Sequence, residues 1–287
     1  MYDPRWDDAR ERDDGRARVY DERDRTDHDP RDCLMRDLDL PRGEARELVV
    51  DRDRVYELNG EESRTLAAVG AFRVVPERDL GTDREDLDHL RDEGLIRTVP
   101  LSGHERGVVL TEEGRDLLDA NLRAREEGKP QAFHADVNRP RELAHAASLY
   151  ATYREEEARV RQEHHDAQIH RVVLEQDLKR DYQAFLQDGN RGRPDSDGRP
   201  DRDEADICRW AEDHQLPYFD ERVHFPDFRI EYDVDGRDHH QDVELLTQHY
   251  RGGHAAGRAQ CGFRLYSVHT GGGGRSTPHP RLAEEFL

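Results

Sequence analysis

Lysine is nearly missing from this chain: Lys129 and Lys179 are the only ones, and every other basic side chain is arginine. A phosphate-cradling loop needs glycines that lead into a helical Lys-Ser/Thr step. The one glycine run, Gly271 to Gly274, is followed by Arg275 and Ser276, so that type of nucleotide site is excluded. Cysteine is scarce as well. Cys33, Cys208 and Cys261 are far apart, odd in number and without metal-ligand spacing, which predicts reduced thiols, no disulfide framework and a cytoplasmic setting. No apolar run approaches the roughly 18 to 20 residues that cross a bilayer, so no membrane partner is expected. Met1 to Arg16 is a charge run with no apolar centre, unlike a secretory signal. Hydrophobic residues are only 33% of the chain against 39% charged, so part of its length is expected to be solvated rather than packed. No Ser-His-Asp or Cys-His constellation stands out.

What the chain does have is acid. The formal net charge is −21, which a nucleic-acid binder must overcome by concentrating its basic groups locally. Arginine suits that task through bidentate contacts to phosphate and guanine, although the Arg-for-Lys bias also fits a GC-rich coding sequence. Residues 1 to 47 alternate Asp and Arg with little periodicity and read as a disordered arm, with Cys33, Leu34, Met35, Leu38 and Leu40 its one apolar cluster. Residues 189 to 203, rich in Gly, Pro, Asp and Arg, read as a linker, and 271 to 287 as a tail.

Between 48 and 130 the texture becomes that of a folded unit. Val55, Tyr56 and Leu58 suggest a short strand, and Asn59-Gly60 a turn. Ser63 is placed to cap a helix carrying Leu66, Val69 and Phe72. Pro76 opens a short helical turn, and Thr82-Asp83-Arg84-Glu85 has the form of a capping box for a helix with Leu87 and Leu90 on its inner face. Leu95 to Leu101 and Arg106 to Leu110 flank a Ser102-Gly103-His104-Glu105 hairpin loop, and Thr111 begins a helix with Leu117, Leu118 and Leu122 facing inward. The stretches "DLDHLRDEGLIRTVPL" and "RGVVLTEEGRDLLDANL" resemble the recognition helix, wing and closing helix of MarR- and PadR-type winged helix-turn-helix regulators. The resemblance implies DNA binding, with the helix from Asp83 to Glu93 in the major groove. Arg84 and Arg91 would lie on that helix, and Arg97, His104 and Arg106 would touch phosphate from the wing.

Residues 131 to 188 read as a helical connector: two helical stretches around a short strand from Ile169 to Leu174, with Arg154 to Asp166 a charged segment between them. From 204 to 270 follow a helix from Asp203 to His214 and strands near Val223 to Phe225 and Phe228 to Val234. An Asp235-Gly236 turn leads to a strand around Asp242 to Thr247, then a helix from Gly252 to Gln260 and a strand from Phe263 to Val268. That order resembles the PD-(D/E)xK nuclease core. The resemblance implies a metal pair at Asp227, which follows Pro226, and Glu244, with Asp242 an alternative on the same strand face. The position where that family places lysine is Leu246, which cannot polarise water, and His249, Arg251 or Arg258 would have to take its place. A winged helix before such a unit also resembles replication-relaxation factors of mobile elements, whose pattern Asp227, Glu244 and Tyr250 would fill without the lysine. The histidine pairs His164-His165 and His239-His240, and His249 and His254, lack zinc spacing and read as solvated.

Together these features predict an α+β chain: a winged helix-turn-helix, a helical connector and a small nuclease-like domain with a degenerate site. The expected function is DNA binding, in transcriptional control or mobile-element maintenance, by a protein that is not an enzyme and has no cofactor. Magnesium would enter only if Asp227 and Glu244 formed an active site. A homodimer is compatible with this reading. One feature opposes it: the expected recognition helix holds Asp83, Glu85, Asp86, Asp88, Asp92 and Glu93 against Arg84 and Arg91. The rival readings are a protein–protein adaptor built on the winged helix and a metal-dependent DNA nuclease.

Overall fold

The computed structural model describes residues 29–52, 54–101, 104–124, 128–136, 140–188, 202–246, 261–267 and 281–282. They form a mixed α+β fold in which one apolar core runs from Leu34 through Phe72 to Tyr266.

The first half opens with an antiparallel ribbon of β1 (Glu47–Asp51) and β2 (Arg54–Leu58), whose Val49 and Tyr56 pair across the strands and turn inward. Helix α1 (Gly60–Phe72) starts earlier than Ser63. Asn59 is its cap: its side chain accepts the Glu62 N–H at 2.8 Å while Glu62 accepts the Asn59 N–H at 2.8 Å, and the Ser63 hydroxyl turns back to the Asn59 carbonyl. Gly60 is required there because a Cβ would collide with the Arg42 carbonyl. Leu66, Ala67, Ala68, Val69 and Phe72 are all buried, the signature of a helix surrounded by protein. Strand β3 (Val75–Pro76), α2 (Glu77–Leu80), α3 (Arg84–Asp92), β4 (Ile96–Pro100), β5 (Arg106–Leu110) and α4 (Glu112–Ala120) follow, with the strands in the antiparallel order β3-β5-β4.

The expected capping box at Thr82 does not form. Asp83 stands at the N-cap of α3 without a side-chain bond, because the Thr82 hydroxyl is taken by Thr65 at 2.6 Å and by Arg31 at 3.2 Å. Thr111 does cap α4, accepting the Gly114 N–H at 3.0 Å, and Gly114 lets the helix press on the Leu95 carbonyl where a Cβ would not fit.

The arm expected over residues 1–47 lies outside the described residues up to 28, and from Asp29 onward it is not an arm. Leu34, Met35 and Leu38 are each 1% exposed, and burial of each such side chain contributes about 1.5–3 kcal/mol. Leu38 pairs with Leu122, and the Tyr153 hydroxyl donates to the Pro30 carbonyl at 2.9 Å. Arg31 clamps Asp29 and Glu61. Five apolar residues close together suffice to anchor a charged segment when a hydrophobic surface awaits them. Composition averaged over the segment hides this.

The expected connector is not separate either. Helix α5 (Pro140–Glu163) absorbs most of the charged stretch after Arg154. Strand β6 (Gln168–Leu174) belongs to the same five-stranded sheet as the C-terminal strands, ordered β12-β11-β10-β9-β6. Between them in sequence come α6 (Glu175–Asp188), α7 (Glu204–Asp213) and a small hairpin of β7 (Tyr218–Phe219) and β8 (Arg222–Val223). Strand β9 (Phe228–Val234) runs antiparallel to both its neighbours, β6 and β10 (Arg237–Leu246), β11 (Arg264–Ser267) runs parallel to β10, and β12 (Arg281–Leu282) adds to β11 within the expected tail. The Gln131 side chain bonds the Val172 N–H and carbonyl at 2.9 and 3.0 Å, occupying backbone groups of edge strand β6. Residues 189–201 of the expected linker, and the expected helix over 252–260, lie outside the described residues.

Phe228, Ile230, Tyr232, Val243 and Leu245 line one face of the sheet and join the main core, where Phe72 meets Tyr150, Tyr153 and Phe228 at ring-centroid distances of 5.3, 5.0 and 6.4 Å. Against the other face, Val173 meets Leu178 of α6 and Trp210 of α7. No described helix is long and apolar enough to cross a membrane.

Candidate functional site

Alternation along β10 places Asp242, Glu244 and Leu246 on one face of the sheet. The β9–β10 register sets Arg229 opposite Asp242 and Phe228 opposite Val243; continued by one residue it brings Glu244 opposite Asp227, just before β9 begins. Three elements hold Asp227. One carboxylate oxygen meets His145 Nε2 of α5 at 3.0 Å, the other accepts the Leu245 N–H of β10 at 2.7 Å, and its carbonyl accepts the N–H of Glu175, the first residue of α6, at 2.9 Å. Glu244 is 1% exposed. Burial disfavours a charge on His145, but the hydrogen bond and charge of Asp227, with the charges of Glu244 and Glu175, outweigh it and raise the imidazole above its ordinary pKa. The result is an acidic corner in which a histidine meets one of the two carboxylates. It can hold a proton or attract a cationic group.

The expected metal pair therefore lies together at one end of the hairpin, but its surroundings do not fit a divalent ion. Both Asp227 oxygens already accept hydrogen bonds. Leu246, at the expected lysine position, packs with Phe263, Leu265 and Cys261. Asp242 does not serve as a second ligand: Arg229 grips both its oxygens at 2.6 and 2.9 Å and is itself fixed by the carbonyls of His214 and Gln215. His249, Tyr250, Arg251, His254 and Arg258 lie outside the described residues.

Among the described residues the group whose three ligand atoms lie within 4.8 Å of one another is elsewhere: His170, Asp233 and Asp238, with His170 at a bulge in β6. There Arg36 hydrogen-bonds His170 and the Asp233 carboxylate accepts the Gly236 N–H at 2.9 Å, so protein groups already offset the charge. Of the histidines read as solvated, His164 and His239 stack with Tyr232 at 6.0 and 5.6 Å.

The expected DNA contacts are spread over the helix-and-hairpin unit, and the arginines among them carry carboxylate partners. Arg97 meets Asp136 at 2.6 Å, Arg106 meets Glu77 at 3.0 Å and Arg84 meets Asp88 at 3.4 Å. Arg91 is tied to Asp88 at 2.6 Å and Thr98 at 3.0 Å and is largely covered, while His104 is exposed. The exposed positions of α3 and its cap are Asp83, Arg84, Glu85, Asp88 and Asp92, a face dominated by acid.

Sequence reading missed His145 and Arg229. Neither belongs to a local motif, and His145 reaches Asp227 across a separation of 82 residues. The chain matches no protein-family model, no curated protein and no solved structure.

Proposed function

We propose that this protein binds DNA through a winged helix formed by α1 to α4 and the β4–β5 hairpin, and that the sheet carrying Asp227 and Glu244 is a nuclease-like unit without catalysis. The element order with the antiparallel β3-β5-β4 sheet supports this most directly: a helix (α3) is followed at once by a two-stranded antiparallel hairpin and then by α4. Arg97 and Arg106 lie on that hairpin, 43% and 61% exposed, and exposed ion pairs of this kind are worth only about 0–1 kcal/mol, so phosphate can displace the carboxylates. The freed acids stay close by, so binding is weak and falls steeply with salt. Transcriptional control and maintenance of a mobile element both fit such a module.

Fluorescence anisotropy with a mixed duplex pool at low and at physiological salt tests this. Arg97→Ala and Arg106→Ala should lower affinity for all sequences alike, since phosphate contacts position a protein without reading bases. The same preparation should leave plasmid DNA uncut with magnesium or manganese. Affinity indifferent to salt would sink the proposal.

The acidic face of α3 favours a second reading, an adaptor whose helix receives a basic protein surface. No binding to any duplex would select it.

A further inference from the structure

The hairpin that carries the acidic corner at its open end gathers a second group of ligand atoms at its closed end. Asp235 and Gly236 both adopt positive φ (54° and 74°), so a two-residue turn closes β9 on β10 and sets Asp233 directly opposite Asp238. Like charges so placed destabilise a hairpin, and a cation between them turns that repulsion into attraction. The third member comes from β6. Ile169 and Arg171 pair with the consecutive residues Tyr232 and Glu231, which leaves His170 as the extra residue of a bulge. Bulges re-aim a side chain, and here one ligand atom from each of His170, Asp233 and Asp238 lies within 4.8 Å of the other two.

An imidazole joined to two carboxylates suits a divalent transition ion better than magnesium or calcium, which take oxygen ligands. Asp233 Oδ1 accepts the Gly236 N–H at 2.9 Å, which fixes the carboxylate while Oδ2 takes no part in that bond. Asp238 is exposed and carries no ion pair or hydrogen bond among the described residues. The cation that offsets these charges in the metal-free chain is Arg36, an exposed residue whose guanidinium meets His170 Nδ1. A guanidinium only donates, so Nδ1 accepts and the ring proton sits on Nε2. Binding an ion through Nε2 moves that proton to Nδ1, where it faces the guanidinium and drives it away. We propose that His170, Asp233 and Asp238 form a site for a divalent ion of the zinc class, and that Arg36 competes with the ion for the imidazole.

Isothermal titration calorimetry of the full chain with zinc chloride tests this, with magnesium chloride as the comparison. The chain has 16 histidines that offer zinc other places, so the readout is the difference between proteins. Wild type should take up one equivalent more than His170→Ala, and Asp238→Asn should bind that equivalent about 10-fold more weakly. Because Asp238 is exposed, its variant should melt close to wild type, which separates loss of a ligand from loss of the fold. Arg36→Gln removes the competing cation and supplies an oxygen that accepts the Nδ1 proton, and should tighten zinc binding about 5-fold. Magnesium should distinguish none of the four proteins. Equal zinc uptake by wild type, His170→Ala and Asp238→Asn overturns the site. An Arg36→Gln affinity equal to or weaker than that of wild type overturns the competition.

Discussion

Asp242 and Glu244 stand two residues apart on β10 and share a face of the sheet, yet their surroundings are opposite. Asp242 faces Arg229, which binds both its oxygens and is fixed in turn by two main-chain carbonyls. Glu244 lies opposite another acid, Asp227, which His145 of α5 meets at 3.0 Å. The first carboxylate is closed by a guanidinium within its own hairpin. One hairpin thus holds a closed acid–arginine pair at Asp242 and, at Glu244, an acid–acid pair open to a histidine of α5.

The largest effect should come from breaking the closed pair. Arg229→Leu leaves Asp242 buried and unpaired and should cost about 3–5 kcal/mol in urea unfolding, whereas Arg229→Leu with Asp242→Leu should recover most of it. A cost under about 1 kcal/mol would erase the contrast.

Substitution at the open pair should matter less. Asp227→Ala removes the acceptor of the buried Leu245 N–H and should cost about 1–3 kcal/mol, while Asp227→Asn, which keeps an acceptor and removes the opposed charge, should cost about 1 kcal/mol or less. Equal losses for the two variants would mean that the charge of Asp227, not its hydrogen bond, holds the strand ends.

The finest test is the titration of two histidines by NMR. His145, beside the open pair, is raised for the reasons given. His240, beside the closed pair, is lowered first by burial and then by the charge of Arg229, which outweigh Asp242. The signs differ accordingly. The contribution of His145 to stability is complete below its unfolded pKa and disappears as pH rises through the raised folded value. That of His240 is complete above its unfolded pKa and disappears as pH falls through the lowered folded value. Shifts in the same direction would show that the two carboxylate environments are alike.

Local chemistry was legible where residues near in sequence decide it. Thr111 and Gly114 belong to one turn, and the helix starts at Thr111 as the sequence indicated, with the Thr111 side chain accepting the Gly114 N–H. Leu87 and Leu90 faced inward as their spacing required. Where two residues could serve the same purpose, the pattern alone misled: Asn59 and Ser63 are both good caps, and the reciprocal bond from Glu62, itself held by Arg46 and His89, selected Asn59. Thr82 was lost to Thr65 and Arg31, partners that arrive from other elements. The segment after Asp29 looked solvated because charge dominates it, and only the surface presented by α1 and α5 shows where Leu34 and Met35 are buried.

The sequence by itself determined the α+β character, the order of α1 to α4 with the β4–β5 hairpin and the β9–β10 turn, because periodicity, caps and turn residues act over a few neighbours; β1 and β3 were not among its expectations. The acid pair could be proposed from residues on either side of that turn. Tertiary structure alone decided that β6 joins the C-terminal sheet, that the N-terminal and C-terminal halves share one core through Phe72, Tyr153 and Phe228, and that His145 rather than a lysine meets Asp227. Those outcomes depend on which surfaces exclude water together, and residues that meet in this way leave no periodic trace in the chain that connects them.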